Sequence, residues 1–304
     1  MSLVIAGSVA YDGLETPAGK VERALGGAAT YIALSSSYFT PSSIVAVVGE
    51  DFAQQDYDFL ASRGIGLEGL ERVPGKTFFW AGVYSADMND RTTLTTELNV
   101  FADFNPKLPP SYQEQPYLLL GNIQPSLQRS VRAQMKAPRL AGGDTMNFRI
   151  NDYRDELLET LKQWDFLLIN DGEARLLSGE TNLKRAAAAI RALGPGILVI
   201  KRGEYGATLF HDGGYFSVPG YLLETLKDPT GAGDCFAGAF TGYLASRGAS
   251  REGGIREADL ARAVVYGSVM GSFCCEAFGV DRFRTLTREE IDARFAEFQK
   301  FTAF

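Results

Sequence analysis

Histidine and cysteine are scarce in this chain, with one His and three Cys among 304 residues. A lone His211 excludes multi-histidine metal sites and argues against a Ser-His-Asp triad. It precedes Asp212-Gly213-Gly214, a hairpin-turn signal. Cys235, Cys274 and Cys275 form no CxxC pair, and adjacent cysteines rarely bridge without strain, so they read as buried thiols of a reducing compartment. Positive charge is also in deficit. A formal net charge of −7 argues against general affinity for nucleic acid or anionic membrane, although a local basic cleft can still hold phosphates. No window approaches the ~18 apolar residues of a membrane span. The opening stretch, "MSLVIAGS", has no basic region and too short an apolar run for a signal peptide. The chain is read as cytoplasmic, with small molecules as its partners.

What is present is an ordinary globular composition, 45% hydrophobic and 22% charged, in a chain long enough for a substantial core. "LVIAG" and "SIVAVVG" look like buried strands and "GGAATYIALSSSYF" like a helix opened by glycines. After residue 110 short apolar runs alternate with helical patterns: "YLLLG", a helix near Pro125–Met135, a strand around Leu140, a helix over Tyr153–Trp164, then "DFLLIN" and "GILVIKRG". Such alternation implies a mostly parallel sheet covered on both faces. Two segments, about 10–25 and 76–104, are instead extended and turn-rich; the second reads as a β-meander. Together they are expected to form a small β flap on one α/β domain spanning 1–304.

Familiar phosphate and dinucleotide signals fail. "GKT" at Gly75–Thr77 has Leu70 where a P-loop needs glycine, and a strand-like run follows it. No Gly-x-Gly-x-x-Gly follows an early strand, which weighs against an oxidoreductase. "DPTGAGDCFAGAF", Asp228–Phe240, does better. Gly231, Ala232 and Gly233 let backbone N–H groups converge at a helix start, a nest suited to a phosphoryl group. Asp234 beside it is either a simple first-turn helix acid or a proton acceptor next to that nest.

These residues carry a resemblance. "DPTGAGDCFAGAF" is similar to the C-terminal signature of the PfkB (ribokinase-like) carbohydrate kinases, and four further stretches match that family in order: "GSVAYD", "GGAATYIAL", "NDGE" and "VIKRGEYGATLF". The resemblance implies an α/β fold, a three-layer α/β/α ribokinase-like core with a mostly parallel sheet and a small β-structured lid. It implies an ATP- and Mg²⁺-dependent kinase that transfers the γ-phosphoryl group to a hydroxyl of a sugar or nucleoside. Carried over residue by residue, Asp234 is the base and Gly231, Ala232 and Gly233 form the anion hole. Asp12, Gly26, Gly27 and Tyr31 lie on the substrate side, and Lys201, Arg202, Gly203 and Thr230 join Gly231 and Gly233 around the nucleotide. Asn170 and Glu173 face Mg²⁺ through oxygens or waters. The lid is a candidate homodimer surface.

Each residue also has a plainer reading: a turn for Asp12, a helix start for Gly26 and Gly27, a capping box for Asn170 and Glu173, and a solvated strand end for Lys201 and Arg202. Flap aromatics Phe78, Phe79, Trp80 and Tyr84 suit either a stacking surface or a small core. Where ribokinase-type members carry an asparagine sugar ligand after Gly-Gly, this chain supplies Thr30 and Tyr31, which argues against free ribose. Pro229 replaces the usual Thr of the signature. The rival of another class is a non-catalytic sugar- or nucleotide-sensing protein on the same scaffold, for which an intact Asp234 would be idle.

Overall fold

The computed structural model describes residues 2–303, and in it the chain forms two sheets. Core strands are β1 (Leu3–Ala6), followed in the chain by the lid strands β2 (Ala10–Thr16) and β3 (Gly19–Gly26). Core strands β4 (Ser42–Gly49) and β5 (Gly66–Val73) come next, then lid strands β6 (Phe78–Tyr84) and β7 (Arg91–Glu97). The remaining core strands are β8 (Tyr117–Leu120), β9 (Leu140–Gly143), β10 (Phe166–Asn170), β11 (Ile197–Lys201), β12 (Ala207–His211) and β13 (Gly214–Val218).

The nine-stranded sheet has the order β13-β12-β11-β10-β9-β8-β1-β4-β5 and is parallel except for the β11-β12-β13 edge. Its strands read as continuous apolar runs because successive side chains enter different cores. Leu3 and Ile5 join one cluster with the helices Ala28–Ser36, Ala232–Ser246 and Glu257–Cys274. Val4 and Ala6 join the other with the helices Pro125–Gln134, Arg154–Leu161, Asp171–Ser178 and Leu183–Arg191. Each fully buried Leu or Ile favours this arrangement by roughly 1.5–3 kcal/mol, which fixes the register of the three layers.

The lid is a four-stranded sheet, β3-β2-β6-β7, drawn from both turn-rich segments. A meander over Lys76–Phe104 is only half met. β6 and β7 pair antiparallel, but β6 lies parallel to β2, so the lid closes through a non-local pairing that links Asp12 with Trp80 in register. Its base is tied to the core where the Tyr11 hydroxyl donates to Asp56 Oδ2 at 2.9 Å and Thr77 donates both N–H and hydroxyl to Asp51 Oδ1 at 2.7 Å. Among the described residues no helix is long and apolar enough to cross a membrane.

Candidate active site

Ligand sites of open parallel sheets form at the carboxyl ends of the strands. That edge gathers most of the sequence-derived candidates here. Lys201 ends β11, Asn170 ends β10, Asp144 follows β9, and the helix Ala232–Ser246 opens beside them.

Gly231 is the N-cap of that helix and has φ +77°, a left-handed conformation that favours glycine. A Cβ there would also stand 2.5 Å from ring carbons of Tyr31, so the buried phenol packs face-on beneath the turn. Ala232 N–H turns back to Pro229 O at 3.2 Å, and Cys235 N–H closes the first helical bond to Gly231 O at 2.8 Å. Among the described residues the N–H groups of Gly231, Gly233 and Asp234 donate to no backbone acceptor, so the donors that remain for an anion lie on either side of Ala232. Asp228 stiffens the approach: its Oδ1 accepts from Thr230 N–H at 2.9 Å and its Oδ2 from Gly279 N–H at 3.0 Å.

The acids around this turn are pushed toward the neutral form by burial. Asp234 is raised to about 6 by desolvation, opposed by the positive charges of Lys201 and Arg91. Lys201 reaches the nest itself, since a Cβ on Gly233 would lie 3.0 Å from its Nζ. Its sequence neighbour Arg202 points elsewhere and donates to Ser217 Oγ at 3.3 Å. Gly203 opens the short turn Gly203–Tyr205 that follows.

Asp12 is 5% exposed and is raised to about 7 by burial first and then by the charges of Asp228 and Asp234. A backbone N–H from Gly27 holds it partly back. Its carboxylate lies so close over Gly26 that a Cβ there would sit 1.9 Å from Oδ2. The Tyr31 hydroxyl is buried with no hydrogen-bond partner among the described residues, and its proton is held more tightly by burial and by the charge of Asp12. Tyr31 thus lies between the two acids' surroundings, its ring against the Gly231 turn and its hydroxyl within the field of Asp12.

Asn170 and Glu173 form the capping box of the helix Asp171–Ser178. Glu173 N–H donates to Asn170 Oδ1 at 2.7 Å, and Asn170 N–H to Glu173 Oε2 at 2.8 Å. Glu173 also faces Lys201 and Arg91, which oppose the rise caused by its burial. Among the described residues no group of three or more His, Cys, Asp or Glu is spaced to hold an ion by itself.

Three residues at this edge are not singled out for the site by the sequence. Asp144 is buried, its Oδ1 has no partner among the described residues, and burial with the charges of Asp234 and Glu173 holds it well above the usual carboxylate range. The one signal for it is an acid directly after a short apolar strand, whereas Asp12, read from the sequence as following the first strand, lies inside the lid strand β2. Tyr84, read above as a flap aromatic, instead bonds Thr230 Oγ1 at 2.8 Å. Arg91 opens β7 on the lid and directs its charge at Asp234 and Glu173. The cysteines are free thiols packed behind the nest, and Cys274 Sγ donates to Thr230 O at 3.3 Å.

Residues 5–285 match the family described as pfkB family carbohydrate kinase. A cytidine kinase of Thermococcus kodakarensis is 29% identical over 255 residues, covering 81% of this chain and 90% of that protein. Fructokinase-2 of rice is 25% identical over 276 residues, covering 83% of this chain and 79% of that protein. Among solved structures, a Burkholderia thailandensis nucleoside kinase in complex with ADP-inosine aligns with a TM-score of 0.77 at 21% identity, covering 97% and 95% of the two chains. The fold is therefore ribokinase-like.

Proposed function

The chain belongs to the pfkB family of carbohydrate kinases and is an ATP-dependent phosphotransferase with an alcohol acceptor; we propose that the acceptor is a primary hydroxyl of a nucleoside, activated by Asp234. One observation carries the site assignment: the left-handed Gly231 N-cap opens a helix whose first turn holds Asp234, with Lys201 Nζ 3.0 Å from where a Cβ on Gly233 would stand. A non-catalytic sensor is not favoured, because the relatives are kinases and such a protein has no use for an acid against the nest.

In this reading Asp12 accepts hydrogen bonds from the acceptor's hydroxyls, and the neighbouring hydroxyl meets Asp234. The N–H groups of Gly231, Gly233 and Asp234, with Lys201, hold the phosphoryl oxygens where charge shifts during transfer. In a loose transition state the acceptor proton leaves late, so a weak base in the right place suffices. The lid excludes water, the competing acceptor.

Mg²⁺ is expected with the nucleotide. Glu173 keeps one carboxylate oxygen outside its capping bond and Asp144 Oδ1 is unpartnered among the described residues, hard oxygens suited to an ion that retains most of its waters. Bound there, the ion would neutralise phosphate charge.

Support for a nucleoside comes from the cytidine kinase and the nucleoside kinase; the fructokinase keeps a free sugar as the second reading. The test is ADP release with ATP and Mg²⁺ across nucleosides, sugars and cyclitols. Turnover highest with nucleosides is expected, and turnover confined to sugars or cyclitols would reject the nucleoside.

A further inference from the structure

We propose that Arg91, delivered by the lid, is a further catalytic residue whose guanidinium donates to the oxygens of the phosphoryl group in transit. This rests on the reading that transfer occurs at Asp234.

The hairpin between β6 and β7 meets the core on two sides of the nest. Tyr84 bonds Thr230 Oγ1 at 2.8 Å just before the nest, and Asn89 Oδ1 lies 4.0 Å from where a Cβ on Gly203 would stand, on the nucleotide-side turn. Arg91 is the ladder partner of Tyr84 across β6 and β7. Cross-strand spacing of about 5 Å therefore places its backbone beside the residue that holds Thr230.

The guanidinium is also uncommitted. On the lid strands Lys20 pairs with Glu15 and Glu22, and Arg23 pairs with Asp51. Among the described residues Arg91 forms no ion pair and no side-chain hydrogen bond; its contact is the Trp80 ring, 5.8 Å from Cζ to the centroid.

Charge explains why a cation is needed there. Asp12, Asp144, Glu173, Asp228 and Asp234 crowd this edge, and a nucleoside triphosphate adds about four negative charges. Lys201 faces Asp234 and Glu173 from the core, and Arg91 faces the same two acids from the lid. An arginine fork can serve two phosphoryl oxygens at once and keeps its proton throughout. During transfer the bond from phosphorus to the bridging oxygen breaks with its electron pair left on ADP. The bond from the acceptor oxygen forms, the acceptor proton passes to Asp234, and Arg91 holds charge on the non-bridging oxygens.

The test is steady-state kinetics with ATP, Mg²⁺ and the acceptor identified by turnover, on wild type, Arg91→Ala, Arg91→Lys and Asp234→Asn. Arg91→Ala is expected to lower kcat about 10²–10³-fold with much smaller changes in either KM. Arg91→Lys should lie between, and guanidinium ion at tens of millimolar should restore Arg91→Ala at least about tenfold, which a structural role would not permit. Because Arg91 is exposed, the thermal midpoint should stay at the wild-type value. The proposal is overturned by a kcat within about threefold of wild type, by a loss confined to KM, or by a loss that neither lysine nor guanidinium relieves. If Asp234→Asn keeps wild-type kcat, the site reading fails and Arg91's role with it. An inactive Asp234→Asn beside a normal Arg91→Ala overturns the lid residue alone.

Discussion

The hydroxyl of Tyr84 and that of Thr230 lie 2.8 Å apart, joining the last residue of a lid strand to the residue before the phosphate nest. Burial raises Tyr84 to about 12, so the phenol stays protonated across any working pH. Tyr84→Phe deletes the bond while keeping the ring. At about 0.5–1.5 kcal/mol per hydrogen bond, the acceptor KM should rise about two- to tenfold, and amides of 85–90 should exchange faster by hydrogen–deuterium exchange. Unchanged exchange in that hairpin would show that this bond does not hold the lid.

Asp234 must be ionised to accept a proton, and its value of about 6 lies above the ordinary carboxylate range. Turnover should therefore fall as pH drops through about 6. Lys201 opposes the rise, so Lys201→Met should move this acid limb to higher pH as well as lower kcat. A pH–rate profile of both proteins checks the direction, and a limb shifted to lower pH would contradict the placement of Lys201.

Asp12 gives a linkage of the opposite practical sense. Its folded value of about 7 exceeds the ordinary 3.8, so its favourable contribution is present at pH below the unfolded value and is lost as pH rises through about 7. Above that pH an ionised, buried carboxylate destabilises the fold. Asp12→Asn should raise Tm by about 2–4 °C at pH 8 and change it little at pH 4, while weakening the acceptor's binding. Thermal scans at the two pH values, with KM measured beside them, separate the effects.

Gly26→Ala places a methyl group 1.9 Å from Asp12 Oδ2, a distance no pair of such atoms tolerates. The carboxylate must move. The acceptor KM should rise at least about tenfold while the KM for ATP changes far less. Equal effects on both substrates would place Asp12 outside the acceptor site.

How much of this was legible in the sequence depends on range. The core strands were, because burial on both faces writes runs such as Leu3–Ala6 and Phe166–Asn170 into contiguous residues. Asp234 was, because its nest is built from the residues just before it. Lys201 and Arg202 look equivalent as a pair; only the end of β11 sends one to Gly233 and the other to Ser217. Arg91 is brought beside Tyr84 through two pairings, β6 with β2 and β7 with β6, that no local pattern encodes. Asp144 depends on β9 lying next to β10, which is likewise a property of the assembled sheet.

Asp12 belongs to a lid strand, whereas Asp234 and Lys201 belong to the core. In the proposed reading the space for the acceptor is framed by Asp12 on the lid and Tyr31 on a core helix, and the transferring group is met by Lys201 from the core and Arg91 from the lid, so the site exists only where the two pieces meet. Substitutions in β6 or β7 therefore disturb the donor side as well as the acceptor side, because Tyr84 and Arg91 stand on those strands.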